Sequence, residues 1–200
     1  NWSKEKLWVK SAQNINKSCE QFYFNKTIKR LNKYFLDTNT VDCITSINGE
    51  DIPPVFEMLE NIDKHWLCHG EAGQFHGDFI LDNVIKTKDG YCLIDWRQDF
   101  AGDLKHGDIY YDLAKLNHNL ILNHENIKNG YFTIEDQQDE ITCDIMVNFK
   151  LLECRDIFQK FLIKNNFDVK KINVLTSLVW LNMAPLHEYP LNKFLFYFGK

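Results

Sequence analysis

Between residues 76 and 95 the chain departs from the helical pattern that governs most of its length, and this interruption limits the possible folds more than any other feature. A glycine-containing turn, His76-Gly77-Asp78, leads to two short apolar runs, Val84-Ile85 and residues 91–94, separated by Asp89-Gly90. Asp-Gly between two such runs predicts a tight hairpin, because the favoured two-residue turns need positive φ. On either side, apolar residues recur at steps of three and four. Ile15, Cys19, Phe22, Phe24, Ile28, Leu31 and Phe35 lie along one face of a predicted helix. Residues 39–51 are polar and predict a loop; Pro53 and Pro54 then open a second helix whose apolar stripe is Phe56, Leu59, Ile62 and Trp66. Asp108 predicts an N-cap for a helix burying Leu113, Leu116 and Leu120, since its carboxylate can accept from first-turn amides. The acidic residues 135–140 predict a solvated loop or helix start, and from Asp144 onward the pattern predicts helices through Ile145, Phe149 and Leu152 to Ile163, then over 169–183 and 191–198. The expectation is an α+β chain, mostly helical, with one small hairpin set into it.

With 200 residues, 44% of them hydrophobic, the chain can bury a substantial core. Its net charge of −5 arises from acidic and basic residues interspersed without a basic stripe, which argues against a nucleic-acid partner. Cys19, Cys43, Cys68, Cys92, Cys143 and Cys154 are widely spaced with no C-x-x-C pair, which fits a reducing cytoplasm. The longest apolar stretches, such as residues 174–180 and 194–198, are far short of a membrane span, and no signal peptide opens the chain. A cytoplasmic protein is expected. The first residue is Asn1, which leads one to expect upstream sequence.

The chemistry is concentrated at the interruption. Asp78 follows the turn, Asn83 stands five residues later, and the second hairpin arm delivers Asp95. A loop and a hairpin end can bring these three to one point. Phosphoryl transfer needs that set: a carboxylate to orient the attacking hydroxyl and accept its proton, and an Asn with an Asp to hold the magnesium that neutralises phosphate oxygens.

These residues resemble a known family. The run His76-Gly77-Asp78-Phe79-Ile80-Leu81-Asp82-Asn83, followed by Leu93-Ile94-Asp95-Trp96-Arg97, Gly107-Asp108 and Tyr111-Asp112-Leu113-Ala114-Lys115-Leu116, is similar to the aminoglycoside phosphotransferase and choline kinase superfamily, which has the protein-kinase-like fold. The segments 94–97, 111–116 and 180–190 resemble a branch found among bacterial surface-polysaccharide biosynthesis proteins. The resemblance is strong from about Pro53 to the C-terminus and weak before it. It implies an ATP- (or other NTP-) and Mg²⁺-dependent kinase acting on a hydroxyl of a small molecule such as a sugar or amino alcohol. Asp78 would be the catalytic base, Asn83 and Asp95 the magnesium ligands, and His76 and Asp112 braces beneath the loop. The implied fold is mainly the helical C-terminal lobe, residues 37–200, with residues 1–36 a remnant of a reduced or incomplete N-terminal β lobe.

In the family a first-lobe strand lysine pairs with a helix glutamate and touches the nucleotide. Lys10 and Glu20 could be that pair, or Lys10 could be a solvated lysine at a strand end; too few residues separate this helix from His76 for the usual hinge. Where the family usually carries a carboxylate, this chain has Arg97, which could clamp an anionic group or form an ion pair with Asp99 or Asp103. His65, Cys68, His69 and His76 match no standard zinc spacing and read as a helix end. His187-Glu188, between Pro185 and Pro190, reads as a fixed turn, and Trp180, Phe194, Phe196 and Phe198 as core. Asp82 is not singled out by spacing. Two rivals share these residues: a pseudokinase-like binding or scaffold protein without a working nucleotide lobe, and a hydrolase or nucleotidyltransferase using the same metal ligands.

Overall fold

The computed structural model describes residues 15–137 and 140–200. The predicted first helix forms as α1 (Ile15–Glu20), a π-helical turn (Gln21–Asn25) and α2 (Lys26–Thr38), running on without a break until Asn39 ends it in the left-handed region at φ 53°. In the π turn the Lys26 amide bonds back to the Gln21 carbonyl, five residues earlier, so one extra residue enters the helix. Beyond it the apolar phase slips. Phe22, Tyr23 and Phe24 are buried, followed by Thr27, Leu31 and Tyr34, while Ile28, expected on the buried face, turns outward.

The chain continues through β1 (Thr45–Ile47), β2 (Glu50–Ile52), α3 (Val55–Glu60), α4 (Lys64–Cys68), β3 (Ala72–Gly73), a 3-10 turn (Leu81–Asn83), β4 (Val84–Thr87), β5 (Gly90–Leu93), β6 (Gly107–Asp108), α5 (Ile109–Ile121) and α6 (His124–Lys128). It closes with β7 (Phe132–Gln137), β8 (Glu140–Ile145), α7 (Phe149–Lys164), α8 (Val169–Met183), a second 3-10 turn (Ala184–Leu186) and α9 (Leu191–Gly199). The architecture is mixed α+β with small sheets and is compatible with a kinase-like fold.

Four further expectations need correcting. The helix predicted from Asp144 begins only at Phe149, because Asp144 and Ile145 are the last residues of β8. Residues 39–51 are not all loop, because Asn48-Gly49, both at positive φ, turn β1 back on β2. Within the acidic stretch, residues 135–137 end β7 and Glu140 opens β8, in which Ile141 and Cys143 alternate inward at the period of two that marks a half-buried strand. The two hairpins join through a parallel β1–β8 pairing, giving the order β2-β1-β8-β7. The predicted helix from Pro53 to Trp66 is two short helices, since the Asp63 carboxylate accepts from the Trp66 amide at 3.1 Å and starts α4 afresh. The Asp89-Gly90 hairpin forms as read, with Thr87 paired to Gly90.

One apolar cluster runs from Cys19 to Phe196. Helix α5 packs on α8, where the Asn117 side chain donates to the Thr176 hydroxyl at 3.0 Å. Tyr34 of α2 stacks on Phe196 of α9 with centroids 4.6 Å apart, and Trp180 and Phe194 each meet Phe198, so the C-terminal aromatics are core as expected. Each such buried ring contributes on the order of 1.5–3 kcal/mol. The described part of the first 36 residues shares this core.

Asp108 ties the layers together. As predicted it caps α5, accepting from the Tyr110 amide at 3.2 Å, and it also accepts from the Tyr23 hydroxyl (2.7 Å) and the Glu71 amide (3.0 Å), with the Lys171 ammonium of α8 4.0 Å away. The pairing of β3 with β6 holds the chain entering the 76–83 loop against the start of α5. That places Asp112, one turn into the helix, under the loop. Among the described residues no helix is long and apolar enough to cross a membrane.

Candidate active site

The loop after Phe75 is fixed from below by one carboxylate. Asp112 is buried and accepts from the His76 amide through Oδ2 at 2.6 Å and from the Gly77 amide through Oδ1 at 2.7 Å. Burial pushes its carboxyl up to about 7, while the two amide bonds favour the ionised form. Gly77 is required on two counts: its φ is +77°, and a Cβ there would lie 2.4 Å from Cβ of Arg97.

The hairpin end is tied to this loop at three points. The Arg97 amide donates to the His76 carbonyl at 2.8 Å, the Ile94 amide donates to the Asn83 carbonyl at 3.0 Å, and His76 Nε2 bonds the Ile94 carbonyl at 2.8 Å. A carbonyl only accepts, so Nε2 carries the proton and Nδ1 takes the Asp78 amide at 3.3 Å. Asp95 therefore sits between two residues bonded to the loop, and it does so in the left-handed region at φ 56°, a conformation Asp tolerates better than most residues. The loop and hairpin thus bring Asp78, Asn83 and Asp95 to neighbouring stretches of one stitched segment.

Asn83 donates from Nδ2 to the Asp78 carbonyl (2.9 Å) and to Asp78 Oδ2 (3.3 Å), which leaves its amide oxygen without a hydrogen-bond partner among the described residues. Asp95 is exposed and its carboxylate likewise has no partner among them. A free amide oxygen on the loop and a free carboxylate at the hairpin end bonded to that loop are hard oxygen donors of the kind a divalent cation takes, so the donor types fit magnesium. No group of three His, Cys, Asp or Glu side chains converges on a metal position among the described residues. His65 and His69 stack on each other, and His76 is engaged in the loop.

Sequence reading did not find the partner of Asp78. The Lys115 ammonium lies 2.7 Å from Asp78 Oδ1. Burial raises the Asp78 carboxyl, but the charge and hydrogen bond of Lys115, with smaller help from His118 and Asn83, outweigh it and hold the group below the usual carboxylate range. Burial and that ammonium push the buried His118 down to about 3, so its help to Asp78 is confined to acid and near neutral pH it carries no charge. Lys115 stands three residues past Asp112 and shares its helix face, a signal present in the sequence.

Arg97 makes neither expected ion pair. Asp99 accepts from the Gly102 amide, Asp103 from the Lys105 and His106 amides, and the Arg97 guanidinium lies over the Phe22 ring, 5.0 Å from its centroid. Asp82 pairs with His124 at 3.2 Å on the exposed side of the loop. Glu20 is exposed at the end of α1, and Lys10 lies outside the described residues.

The model of a phosphotransferase enzyme family matches residues 30–124, just under half of the chain, and the matched span contains the loop, the hairpin and α5. This supports a phosphotransferase of the kinase-like superfamily that includes aminoglycoside phosphotransferases and choline kinases. No curated protein and no solved structure matches the chain.

Proposed function

We propose that this chain transfers the γ-phosphoryl group of ATP or another nucleoside triphosphate to a hydroxyl of a small-molecule acceptor. The observation that carries this reading is the Asp78 carboxylate, held ionised by Lys115 at 2.7 Å on a loop fastened to both Asp112 and the strand end bearing Asp95. In this role Asp78 orients the acceptor hydroxyl and takes its proton as the oxygen bonds to the γ-phosphorus and the bond to the ADP oxygen breaks. Asn83, through its free amide oxygen, and Asp95 are the residues that would hold Mg²⁺, which supplies charge neutralisation at the phosphate oxygens. His76 and Asp112 position the loop without touching substrate.

Lys10 and Glu20 are the proposed nucleotide-side pair, with residues 1–36 a remnant of the first lobe and 37–200 the helical lobe. A cytoplasmic place in surface-polysaccharide biosynthesis is the setting we attach to the reading, on the strength of the 94–97 and 111–116 segments. The test is a screen of hydroxyl acceptors for ADP release by the intact chain with Mg²⁺. Asp78→Asn is expected to lower turnover by about a hundredfold or more, the range for losing a positioned base, with the fold retained as read by circular dichroism. Equal turnover in the variant removes Asp78 from the role; ATP binding without turnover of any acceptor favours the scaffold rival.

A further inference from the structure

Beside Asp78 lies a cavity of about 140 Å³ lined by four cationic side chains, Lys26 and Arg30 of α2, Arg97 after the hairpin, and Lys115 of α5. This is small against the roughly 300–1,000 Å³ of a drug-sized pocket. Lys115 has Asp78 as its counterion, but Lys26, Arg30 and Arg97 have no carboxylate within ion-pair distance among the described residues. Lys26 and Arg97 both lie against the Phe22 ring, at 4.0 and 5.0 Å from its centroid. The contribution of α8 to the wall is apolar apart from the Asn182 amide. Like charges around one small cavity repel one another beyond what the Asp78 carboxylate and the Phe22 ring offset, and an anion filling the cavity would relieve that repulsion.

The lining argues against the triphosphate of a nucleotide as that anion. A nucleotide whose phosphates bridge a cation on Asn83 and Asp95 would lie against those two residues, and neither lines the cavity. Lys115 reaches both the cavity and Asp78, so a molecule seated among the cations presents its remainder to the proposed base. We propose that the acceptor carries an acidic group, a phosphate or a carboxylate, that seats among Lys26, Arg30, Arg97 and Lys115 while its hydroxyl faces Asp78. The assignment to an acceptor rests on the phosphotransferase reading; the anion site itself does not.

Lys26 adds a pH signature. Burial, then the charges of Arg97, Arg30 and Lys115, lower its ammonium to about 7 against a small opposing pull from Asp99. Tyr23 and Tyr111, which also face the cavity, are raised by burial and stay neutral. Below pH 7 the free cavity is already fully charged; above it, anion binding must draw a proton onto Lys26, so affinity falls as pH rises.

The experiment is calorimetric titration of the whole chain with sulfate, whose charge is constant near neutrality, in the parent and in Lys26→Gln and Arg30→Gln. Each variant is expected to lose affinity by about tenfold, the scale of one charge-assisted hydrogen bond, and to keep or raise Tm because repulsion is relieved. The decline of affinity above pH 7 is expected to vanish in Lys26→Gln. In parallel, matched hydroxyl compounds with and without a phosphate or carboxylate are offered with ATP. The acidic members are expected to be the substrates, with KM rising about tenfold in the variants and kcat little changed; whichever acidic set is faster names the group. Sulfate binding that is equal in parent and variants, sulfate competing with ATP rather than with the acceptor, or preference for the neutral members overturns the proposal. Sulfate binding lost in the variants with no acceptor turned over takes down the phosphoryl-transfer reading, and the acceptor with it, while leaving the anion site supported.

Discussion

Asp78 is a carboxylate under opposed influences, with burial raising its proton affinity and Lys115 lowering it, and the balance falls on the ionised side. Lys115→Met keeps the length of the side chain and removes the charge. The carboxyl should then rise, so the acid limb of the kcat/KM profile is expected to move to higher pH, a shift that pH–rate measurements read directly. An unmoved limb would assign the titration to another group. At Gly77 the constraint is steric: Gly77→Ala forces a positive φ on a residue with a Cβ and drives that carbon into Arg97. A loss of about 1–3 kcal/mol is expected by urea denaturation. That Asp78 and Asn83 share one loop and that this loop meets the hairpin arm ending at Asp95 was legible, because it depends on residue type and order along one short segment. Lys115 shows what is harder to read, since a lysine on a helix is usually solvated and only the helix's docking turns this one toward the loop.

Helix α5 is the element on which the site stands, because its first turn carries Asp108 into the core and Asp112 under the loop. Asp112→Asn leaves one acceptor oxygen where two amides need partners, and its NH₂ faces an N–H. We expect a loss of about 2–3 kcal/mol, accompanied by faster hydrogen exchange at the His76 and Gly77 amides. Asp108→Ala takes the acceptor from the Tyr23 hydroxyl and the carboxylate from beside the buried Lys171 ammonium, which keeps only the His69 carbonyl and the Tyr110 ring, and is expected to cost about 3–5 kcal/mol. The capping role of Asp108 and the hairpin at Asp89-Gly90 were readable from local chemistry. The β7–β8 hairpin was not, because Glu135, Asp136 and Glu140 resemble a solvated stretch until Ile141 and Cys143 are paired across strands with distant residues.

For the molecule as a whole, the overall charge is negative while the cavity beside Asp78 is positive, a local inversion that bulk composition conceals. If nucleotide and magnesium bind at the loop and hairpin, ATP with Mg²⁺ at a hundredfold its Kd is expected to raise apparent stability by about 2.7 kcal/mol. Asp95→Ala should reduce that gain to what ATP gives without the cation, as read by thermal shift. The single core was foreseeable from the helical periodicities, but their phase was not, because nothing in Gln21–Asn25 announces a wider turn. Each residue of an ordinary helix rotates the chain by about 100°. Excising one residue from that turn would swing everything downstream through such an angle, bringing Ile28 inward and carrying Lys26 and Arg30 out toward water. The electrostatic character of the cavity is thus written in the count of residues upstream as much as in their identity.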